Sequence, residues 1–139
     1  MSCVLCDARI HEQHRMVYQD DLVFVLLNAE PLKEGHLMIL PVRHAEDLGD
    51  LSPDESQAFL RTIDRCMAVV TKAFDDTPMC LVNGWKFRTQ PHLHAHVLPS
   101  KTTMRGLYVA AEGVENRKRA EDGALRQTAE RLRVFFEKI

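Results

Sequence analysis

The chain has 139 residues, and its 18 lysines and arginines against 20 aspartates and glutamates give a formal net charge of −2. A chain of this length fits one domain that folds without disulfides, and its charge gives no broad attraction to nucleic acid or to a membrane surface. No apolar run reaches the roughly 18 residues of a spanning helix, and the N-terminus lacks the features of a signal peptide. We therefore expect a cytoplasmic protein whose cysteines act as thiols or metal ligands.

Apolar segments in the first third of the chain predict three strands. The first two, residues 16–18 and 22–27, are separated by the acidic turn 19–21. Residues 23–27 are continuously apolar, as expected of a strand that is covered on both faces. A turn at 31–35 leads to the third strand, residues 36–40, which Pro41 closes.

The clearest helix begins after Ser52, which is a suitable N-cap residue. Pro53 suits the first helical position, and Asp54 and Glu55 complement the positive end of the helix dipole. Spacings of three and four predict one buried stripe, formed by Phe59, Ile63, Cys66, Met67, Val70 and Phe74. The segment that contains Asp75, Asp76 and Pro78 ends the helix.

The second half of the chain predicts two more strands and a final helix. The strands are residues 80–82, followed by an Asn83-Gly84 turn, and residues 93–98. The charged tail from about 114 to 136 is typical of a surface helix, weakened by Gly123. Several short strands, one long helix and few crossovers indicate an α+β fold with a mainly antiparallel sheet.

Residues 90–99 form the most distinctive segment, because His92, His94 and His96 alternate with Leu93, Ala95 and Val97. On a strand, this period of two places all three imidazoles on one face. Burying three histidines is costly unless each has a partner, so we interpret them as functional. Either the three rings hold a catalytic metal with one open position, or one ring is a nucleophile that its neighbours orient.

The pair Cys3 and Cys6 has the spacing of metal ligands, and its rivals are a redox pair or two ordinary thiols. A thioredoxin-like pair would follow a strand, whereas this one precedes every predicted strand. His44 and His92 are candidates to complete a closed tetrahedral site, which favours structural zinc. If His92 belongs to that site, His94 and His96 remain for chemistry.

The other cysteines and histidines divide between core and surface. Cys66 lies on the apolar helix stripe and Cys80 begins an apolar strand, so we expect both in the core. His11 and His14 lie in a polar segment and are predicted to be solvated. His36 follows Gly35 at the start of a strand, where it is either a core histidine or part of a site.

Taken together, these motifs make the chain similar to members of the histidine triad (HIT) superfamily of nucleotide hydrolases and transferases. The family motif is His-φ-His-φ-His-φ-φ, with φ apolar, and residues 92–98 match every position. Segments 27–31 and 35–41, His44 and the helix start at 51–55 occur in the family's order. The resemblance implies one domain over 1–139, with a core at about 3–100 and a helical tail at about 101–139. It also implies a five-stranded sheet and pairing as a homodimer.

The resemblance further implies roles for individual residues. His94 would attack the α-phosphate of a (di)nucleoside polyphosphate or a nucleoside phosphoramidate, and water would then hydrolyse the nucleotidyl-histidine. His96 would contact the phosphate oxygens. Asn28 would hold the ribose hydroxyls, with His36 near the nucleotide. The remaining implied positions are Leu26 and Ile39 along the base, which we take to be adenine, and Cys3, Cys6, His44 and His92 on zinc.

Chemistry agrees with this division, because a neutral imidazole is a competent nucleophile near pH 7. Its other ring nitrogen then needs an acceptor, for which we expect a backbone carbonyl. Fixed donors such as His96 and Asn83 could stabilise the charge that develops on phosphate.

The loop before the triad departs from the family, because it is shorter and lacks a Gly-Gln pair. Gln90 is the candidate for the missing glutamine. Lys86 and Arg88 could replace lost hydrogen bonds with charge, but we favour solvated side chains for both. The altered loop keeps two other classes open beside the hydrolase. One is a nucleotide-binding module with weak or no catalysis, and the other is a metalloenzyme with the triad on a catalytic metal.

Overall fold

The computed structural model describes residues 2–84, 88–113 and 119–138. The chain divides into two compact units, Met1–Thr103 and Met104–Ile139. The first unit contains α1 (Val4–His11), β1 (Met16–Gln19), β2 (Val23–Leu27), β3 (Leu37–Pro41), α2 (Pro53–Phe74), β4 (Thr77–Leu81) and β5 (Ala95–Ser100). Short 3₁₀ turns at Gln13–Arg15 and Leu48–Asp50 connect some of these elements.

The five strands form one sheet in the order β1-β2-β3-β5-β4, with every neighbouring pair antiparallel. The predicted α+β class with a five-stranded antiparallel sheet is therefore confirmed. Strand β3 lies in the middle and all five of its residues are buried, whereas β4 contains Pro78 and lies at an edge. Proline is tolerated on an edge strand because its missing N–H would face away from the ladder.

Alternate residues of the central strands pack on opposite faces of the sheet. One face packs against α2, where Phe59 and Val70 of the helix meet Val25, Ile39 and Ala95. The other face is covered near β2 and β3 by Leu5 and Ala8 of α1, which pack with Phe24, Leu26, Met38 and Leu40. In β3–β5 pairing, Met38 lies opposite His96. The histidine therefore belongs to the α1 side of the sheet.

Helix α2 begins as predicted, with Ser52 as its N-cap and Pro53 in the first turn. The Ser52 hydroxyl accepts a hydrogen bond from the Glu55 N–H at 3.2 Å, and a Glu55 carboxylate oxygen accepts one from the Ser52 N–H at 2.8 Å. Such a reciprocal pair satisfies two backbone donors that a helix leaves free. The helix ends at Asp75, whose φ of 49° is left-handed.

Arg43 extends this cap, because its guanidinium donates two hydrogen bonds to the Glu55 carboxylate at 2.8 and 2.7 Å. Arg43 also donates to the Asp50 carbonyl at 2.6 Å. The two hydrogen bonds from Arg43 to the Glu55 carboxylate, together with that from the Ser52 N–H, lower the pKa of Glu55 to about 2. The loop that follows β3 is thereby fixed to the start of α2.

We expect Glu55→Gln to lower the free energy of unfolding by about 1–3 kcal/mol near neutral pH, since hydrogen bonds to an ionised group are lost. Because folding lowers the pKa of Glu55 from its ordinary 4.5, the carboxylate stabilises the fold above about pH 4.5. That contribution fades as the pH falls toward about 2. Urea unfolding at several pH values should show the wild type converging on the variant, while Asp54→Asn serves as the exposed control. An equal difference at every pH would contradict this assignment.

Three differences from the predicted elements have physical causes. Helix α1 was not predicted, because only Leu5 and Ala8 of its residues are buried, while Val4 and Ile10 are exposed, so the helix has no continuous apolar stripe. Strand β5 begins at Ala95 rather than residue 93, since the Leu93 N–H bonds the Ala45 carbonyl at 2.7 Å instead of a strand. Strand β4 begins at Thr77 rather than residue 80, because Pro78 is accommodated at the edge.

The second unit contains two helices in its described part, α3 (Met104–Glu112) and α4 (Asp122–Phe136). Helix α4 lies within the predicted tail helix, whose first residues, 114–118, fall outside the described residues. Helix α3 lies within the helical tail that the resemblance implies at about 101–139, although the residue pattern itself predicted no helix there. None of the helices in the described part of the chain combines the length and the apolar run needed to cross a bilayer.

Candidate active site and metal centre

Four predicted metal ligands meet at one end of the sheet. Cys3 and Cys6 lie at the start of α1, His44 follows β3, and His92 precedes β5. Their ligand atoms all lie within 4.8 Å of one another. His92 Nδ1 is 3.5 Å from the Cys3 sulfur and 3.3 Å from the Cys6 sulfur, and His44 Nδ1 is 3.7 Å from the Cys6 sulfur. The four residues could hold a metal ion.

The donor set and its spacing fit zinc. Two thiolates and two imidazoles are a common structural zinc set, with bonds of about 2.3 Å to sulfur and 2.0–2.1 Å to nitrogen. A tetrahedral ion with those bonds separates sulfur from nitrogen by about 3.6 Å, close to the observed 3.3–3.7 Å. The Nε2–H of His92 donates to the Pro41 carbonyl at 2.9 Å, which leaves the Nδ1 lone pair toward the sulfurs.

His94, the predicted nucleophile, lies immediately beyond this cluster and is 6% exposed. Its Nδ1 is 2.7 Å from the His92 carbonyl oxygen. Because a carbonyl can only accept a hydrogen bond, Nδ1 carries the proton. The lone pair of the neutral ring is therefore on Nε2.

His96 and His36 form a hydrogen-bonded pair next to His94. The Leu32 N–H donates to His36 Nδ1 at 3.2 Å, so the proton of the neutral His36 ring is on Nε2. That Nε2–H donates to His96 Nδ1 at 2.8 Å, which leaves the His96 proton on Nε2. The His96 and His94 ring centroids are 4.9 Å apart. A lone pair on His94 thus lies beside a hydrogen-bond donor on His96.

Burial keeps this pair uncharged. It lowers the pKa of His96 to about 4, with neighbouring His94 and His36 adding to the effect, and it also lowers the pKa of His36. Both rings are therefore neutral near pH 7. His36 is 3% exposed, as expected of a core histidine, and its ring contacts His96 in the histidine cluster.

Asn28 lies beside His36 at the β2–β3 connection, which is the end of β3 opposite to Pro41 and the metal cluster. Its N–H donates to the His36 carbonyl at 2.8 Å. Its side-chain oxygen accepts from the Glu30 N–H at 2.9 Å, which leaves the half-buried amide NH₂ as a donor.

Leu26 and Ile39 are not brought to an open surface, and the expectation that they line a base needs correction. Both are 0% exposed. Leu26 is covered by the α1 cluster, whereas Ile39 faces α2 on the other side of the sheet. Leu26 pairs with Met38 on one face of the sheet, and Ile39, the next residue along β3, points to the opposite face, so these two cannot share one wall.

The loop before the triad differs from expectation at Arg88. Its side chain is only 6% exposed and its Nη2 lies 3.2 Å from an Asp47 carboxylate oxygen, so the prediction of a solvated side chain is wrong. Lys86 lies outside the described residues. Asn83 is exposed and Gln90 is half-buried. Within the described ranges, neither is hydrogen-bonded to His94 or His96.

The interpretation in which all three triad histidines bind one metal is contradicted by the direction of His92. Its ring belongs to the cluster with Cys3, Cys6 and His44, a group that includes neither His94 nor His96.

The predictions for the other residues are confirmed: Cys66 is buried in the α2 cluster with Cys80 packed against it, and His11 and His14 are exposed.

Gly35 shapes the turn that delivers His36. Its φ is +86°, and a Cβ there would overlap the ring of Phe74. We expect Gly35→Ala to destabilise the protein by about 2 kcal/mol or more, from left-handed strain and overpacking together. Thermal unfolding should show this loss, whereas Gly49→Ala, where no atom lies within 4 Å of an added Cβ, should be nearly neutral. Equal melting temperatures for the two variants would refute the argument.

The fold and this cluster of histidines define a HIT-type domain. The family model for the HIT domain matches residues 10–103. An uncharacterised HIT-like protein of Mycobacterium tuberculosis (strain H37Rv) is 34% identical over 106 residues, covering 73% of each chain. The chain therefore belongs to the HIT family.

More distant relatives include enzymes. A bis(5'-nucleosyl)-tetraphosphatase of Schizosaccharomyces pombe is 27% identical over 90 residues, which cover 63% of this chain and 50% of that protein. A crystal structure of a HIT family protein from Bacillus anthracis matches with a TM-score of 0.74 at 17% identity, covering 99% of this chain and 97% of that one. The histidine triad nucleotide-binding protein of Candida albicans matches at 0.71 and 21% identity, covering 99% of both chains.

Proposed function

We propose that the protein hydrolyses a (di)nucleoside polyphosphate or a nucleoside phosphoramidate through a nucleotidyl-histidine intermediate on His94. The observation that carries this proposal is the hydrogen bond from His94 Nδ1 to the His92 carbonyl at 2.7 Å. It presents Nε2 as an unprotonated nucleophile and holds the ring in one orientation.

In the first step, the Nε2 lone pair forms a bond to the α-phosphorus, and the bond from phosphorus to the leaving group breaks. The leaving group takes the electron pair of that bond. The His96 Nε2–H donates a hydrogen bond to the phosphate oxygens or to the departing atom, where charge develops. In the second step, water attacks the same phosphorus, and the mononucleotide leaves while His94 recovers its lone pair.

The neighbouring residues support binding rather than bond breaking. The side-chain NH₂ of Asn28 is the proposed donor to a ribose hydroxyl. A 2.8 Å backbone hydrogen bond holds Asn28 beside His36. Gln90 and Asn83, on the loop before the triad, are proposed phosphate contacts. Leu26 and Ile39 are not included, since both are fully buried.

The substrate class draws support from relatives. The matched protein of Schizosaccharomyces pombe is named a bis(5'-nucleosyl)-tetraphosphatase, and a matched protein of Saccharomyces cerevisiae is named a bis(5'-adenosyl)-triphosphatase, at 27% identity. Both names describe cleavage within a chain of phosphates between two nucleosides. We propose adenine as the base on this ground.

We further propose that Cys3, Cys6, His44 and His92 hold a structural zinc ion. Zinc would cross-link the start of α1 to the segment after β3 and the segment before β5. It would supply folding free energy rather than take part in the reaction. The chain's own contribution is the hydrogen bond from His92 Nε2–H to the Pro41 carbonyl, which orients the ring.

We propose a cytoplasmic homodimer in which the chain acts as a single HIT domain. Exposed apolar side chains on α2 and at the end of β4 support a self-association surface, namely Leu60, Val69, Leu81 and Val82. Light scattering after size exclusion would give the mass of the assembly, and Leu60→Glu should reduce it to that of one chain if this face pairs.

The test of the proposed reaction is intact-protein mass spectrometry after brief mixing with diadenosine tetraphosphate or an adenylyl phosphoramidate. The wild type should gain the mass of one adenylyl group, and His94→Ala should gain none. An adduct that persists in His94→Ala would refute the assigned nucleophile. AMP binding with neither adduct nor released product would favour a nucleotide-binding module. This class is the second candidate function, because Arg88 of the altered loop pairs inward with Asp47.

A further inference from the structure

We propose that Cys3 and Cys6 form a hydroperoxide-sensitive switch, in which their oxidation to a disulfide expels the metal and loosens the His94 site. The inference rests on the metal centre proposed above. It adds a regulatory role, for which the metal ligands themselves are the sensor.

The two thiols are placed to react with each other. Cys3 is the N-cap of α1, and its sulfur accepts a hydrogen bond from the Cys6 N–H at 3.5 Å. Both sulfurs lie beside His92 Nδ1, at 3.5 and 3.3 Å. With all ligand atoms within 4.8 Å of one another, the sulfurs can reach the roughly 2.05 Å of a disulfide by rearranging the start of a short helix.

An oxidant can reach this cluster from the side of His44. The His44 side chain is 42% exposed, and Cys3 and Cys6 are both half-buried. In contrast, Cys66 is 7% exposed within the core. The chain therefore offers a reactive pair and a protected thiol for comparison.

The reaction balances with a hydroperoxide as the oxidant. One thiolate attacks the peroxide oxygen to give a sulfenic acid and an alcohol, or water when the oxidant is hydrogen peroxide. The second thiol displaces water from the sulfenic acid and forms the sulfur–sulfur bond. Two sulfurs are oxidised and one peroxide bond is reduced, so the metal loses two of its four ligands.

The nucleophile is affected because His92 serves both sites. Its ring faces the two sulfurs, and its carbonyl accepts the His94 Nδ1–H at 2.7 Å. Without the metal, the His92 ring would keep its hydrogen bond to the Pro41 carbonyl at 2.9 Å and its edge contact with Phe24, but it would lose the bond that fixes Nδ1. Oxidation should therefore release the metal and lower turnover together, although neither cysteine touches the substrate.

The experiment begins by measuring zinc uptake by the reduced full-length chain, which should be one ion per chain. The loaded protein is then treated with hydrogen peroxide, while a chromogenic chelator reports released zinc and peptide mapping locates any disulfide. We expect release to match formation of the Cys3–Cys6 disulfide, and a thiol reductant with added zinc to reverse both. Cys66→Ser should behave as the wild type.

The outcomes separate the two proposals. Failure to take up zinc overturns the metal centre, and the switch with it. Zinc that stays bound while peroxide oxidises other thiols, or zinc released without a Cys3–Cys6 disulfide, overturns the switch and leaves the metal centre standing. A disulfide that forms and releases zinc without changing turnover overturns the link to His94.

Discussion

Replacing His94 by alanine should abolish turnover while leaving the fold and nucleotide binding nearly intact. His94 Nε2 is the only protein atom that bonds to phosphorus in the proposed scheme, and enzymes that lose their nucleophile commonly lose about 10⁴-fold or more in kcat. The ring packs beside His96 at a centroid separation of 4.9 Å. Its removal should therefore leave the proposed phosphate and ribose contacts in place.

Three measurements make this result specific. Product release from diadenosine tetraphosphate gives kcat, equilibrium binding of AMP tests the pocket, and thermal unfolding tests the fold. His14→Ala is the matched control, because His14 is exposed and lies outside the histidine cluster. Turnover by His94→Ala within tenfold of the wild type would exclude a nucleotidyl-histidine on this residue.

Removing the metal should have the second largest effect, and it should act on stability first. We expect a strong chelator or Cys6→Ala to lower the free energy of unfolding by about 3 kcal/mol or more and the melting temperature by about 10 °C. A ligand present at 1,000 times its Kd stabilises a folded chain by about 4 kcal/mol. The proposed ion would link α1, the loop after β3 and the segment before β5.

The chelator and the variant control for each other. Thermal unfolding of the wild type with and without chelator should show the loss, whereas Cys6→Ala should melt at the lower temperature in both conditions. A wild type that binds one zinc ion yet melts unchanged without it would show that the ion contributes no folding free energy.

The sequence predicted the grouping of the candidate metal ligands and the two faces of the triad segment better than their surroundings. Period-two alternation in residues 92–98 correctly separated the histidines from Leu93, Ala95 and Val97, although regular strand pairing begins only at Ala95. The spacing of Cys3 and Cys6 and the position of His44 pointed to one cluster, and the structure brings these residues together with His92. Helix α2 was predictable because its N-cap residue and its apolar stripe both indicate a helix that begins after Ser52.

Other features depend on contacts that no local pattern contains. The buried side chain of Arg88 pairs with Asp47, which is 41 positions earlier in the chain. The separation of Leu26 from Ile39 follows from strand register, since Leu26 pairs with Met38. The direction of the His92 ring is set by the Pro41 carbonyl. The spacing of three between Leu5 and Ala8 was the local indication of helix α1.

Sequence separation within the site bears on the order of folding. The contact between His36 and His96 joins residues 60 positions apart, and that between Cys3 and His92 joins residues 89 apart. Closing such long loops is slow, because chain entropy is lost before the stabilising contacts form. The β2–β3 hairpin can form early, but the proposed metal ligands and the proposed nucleophile assemble only when the segment around β5 docks. An incompletely folded or truncated chain would therefore lack both centres at once, so a nascent chain acquires its reactivity only in the final stage of folding.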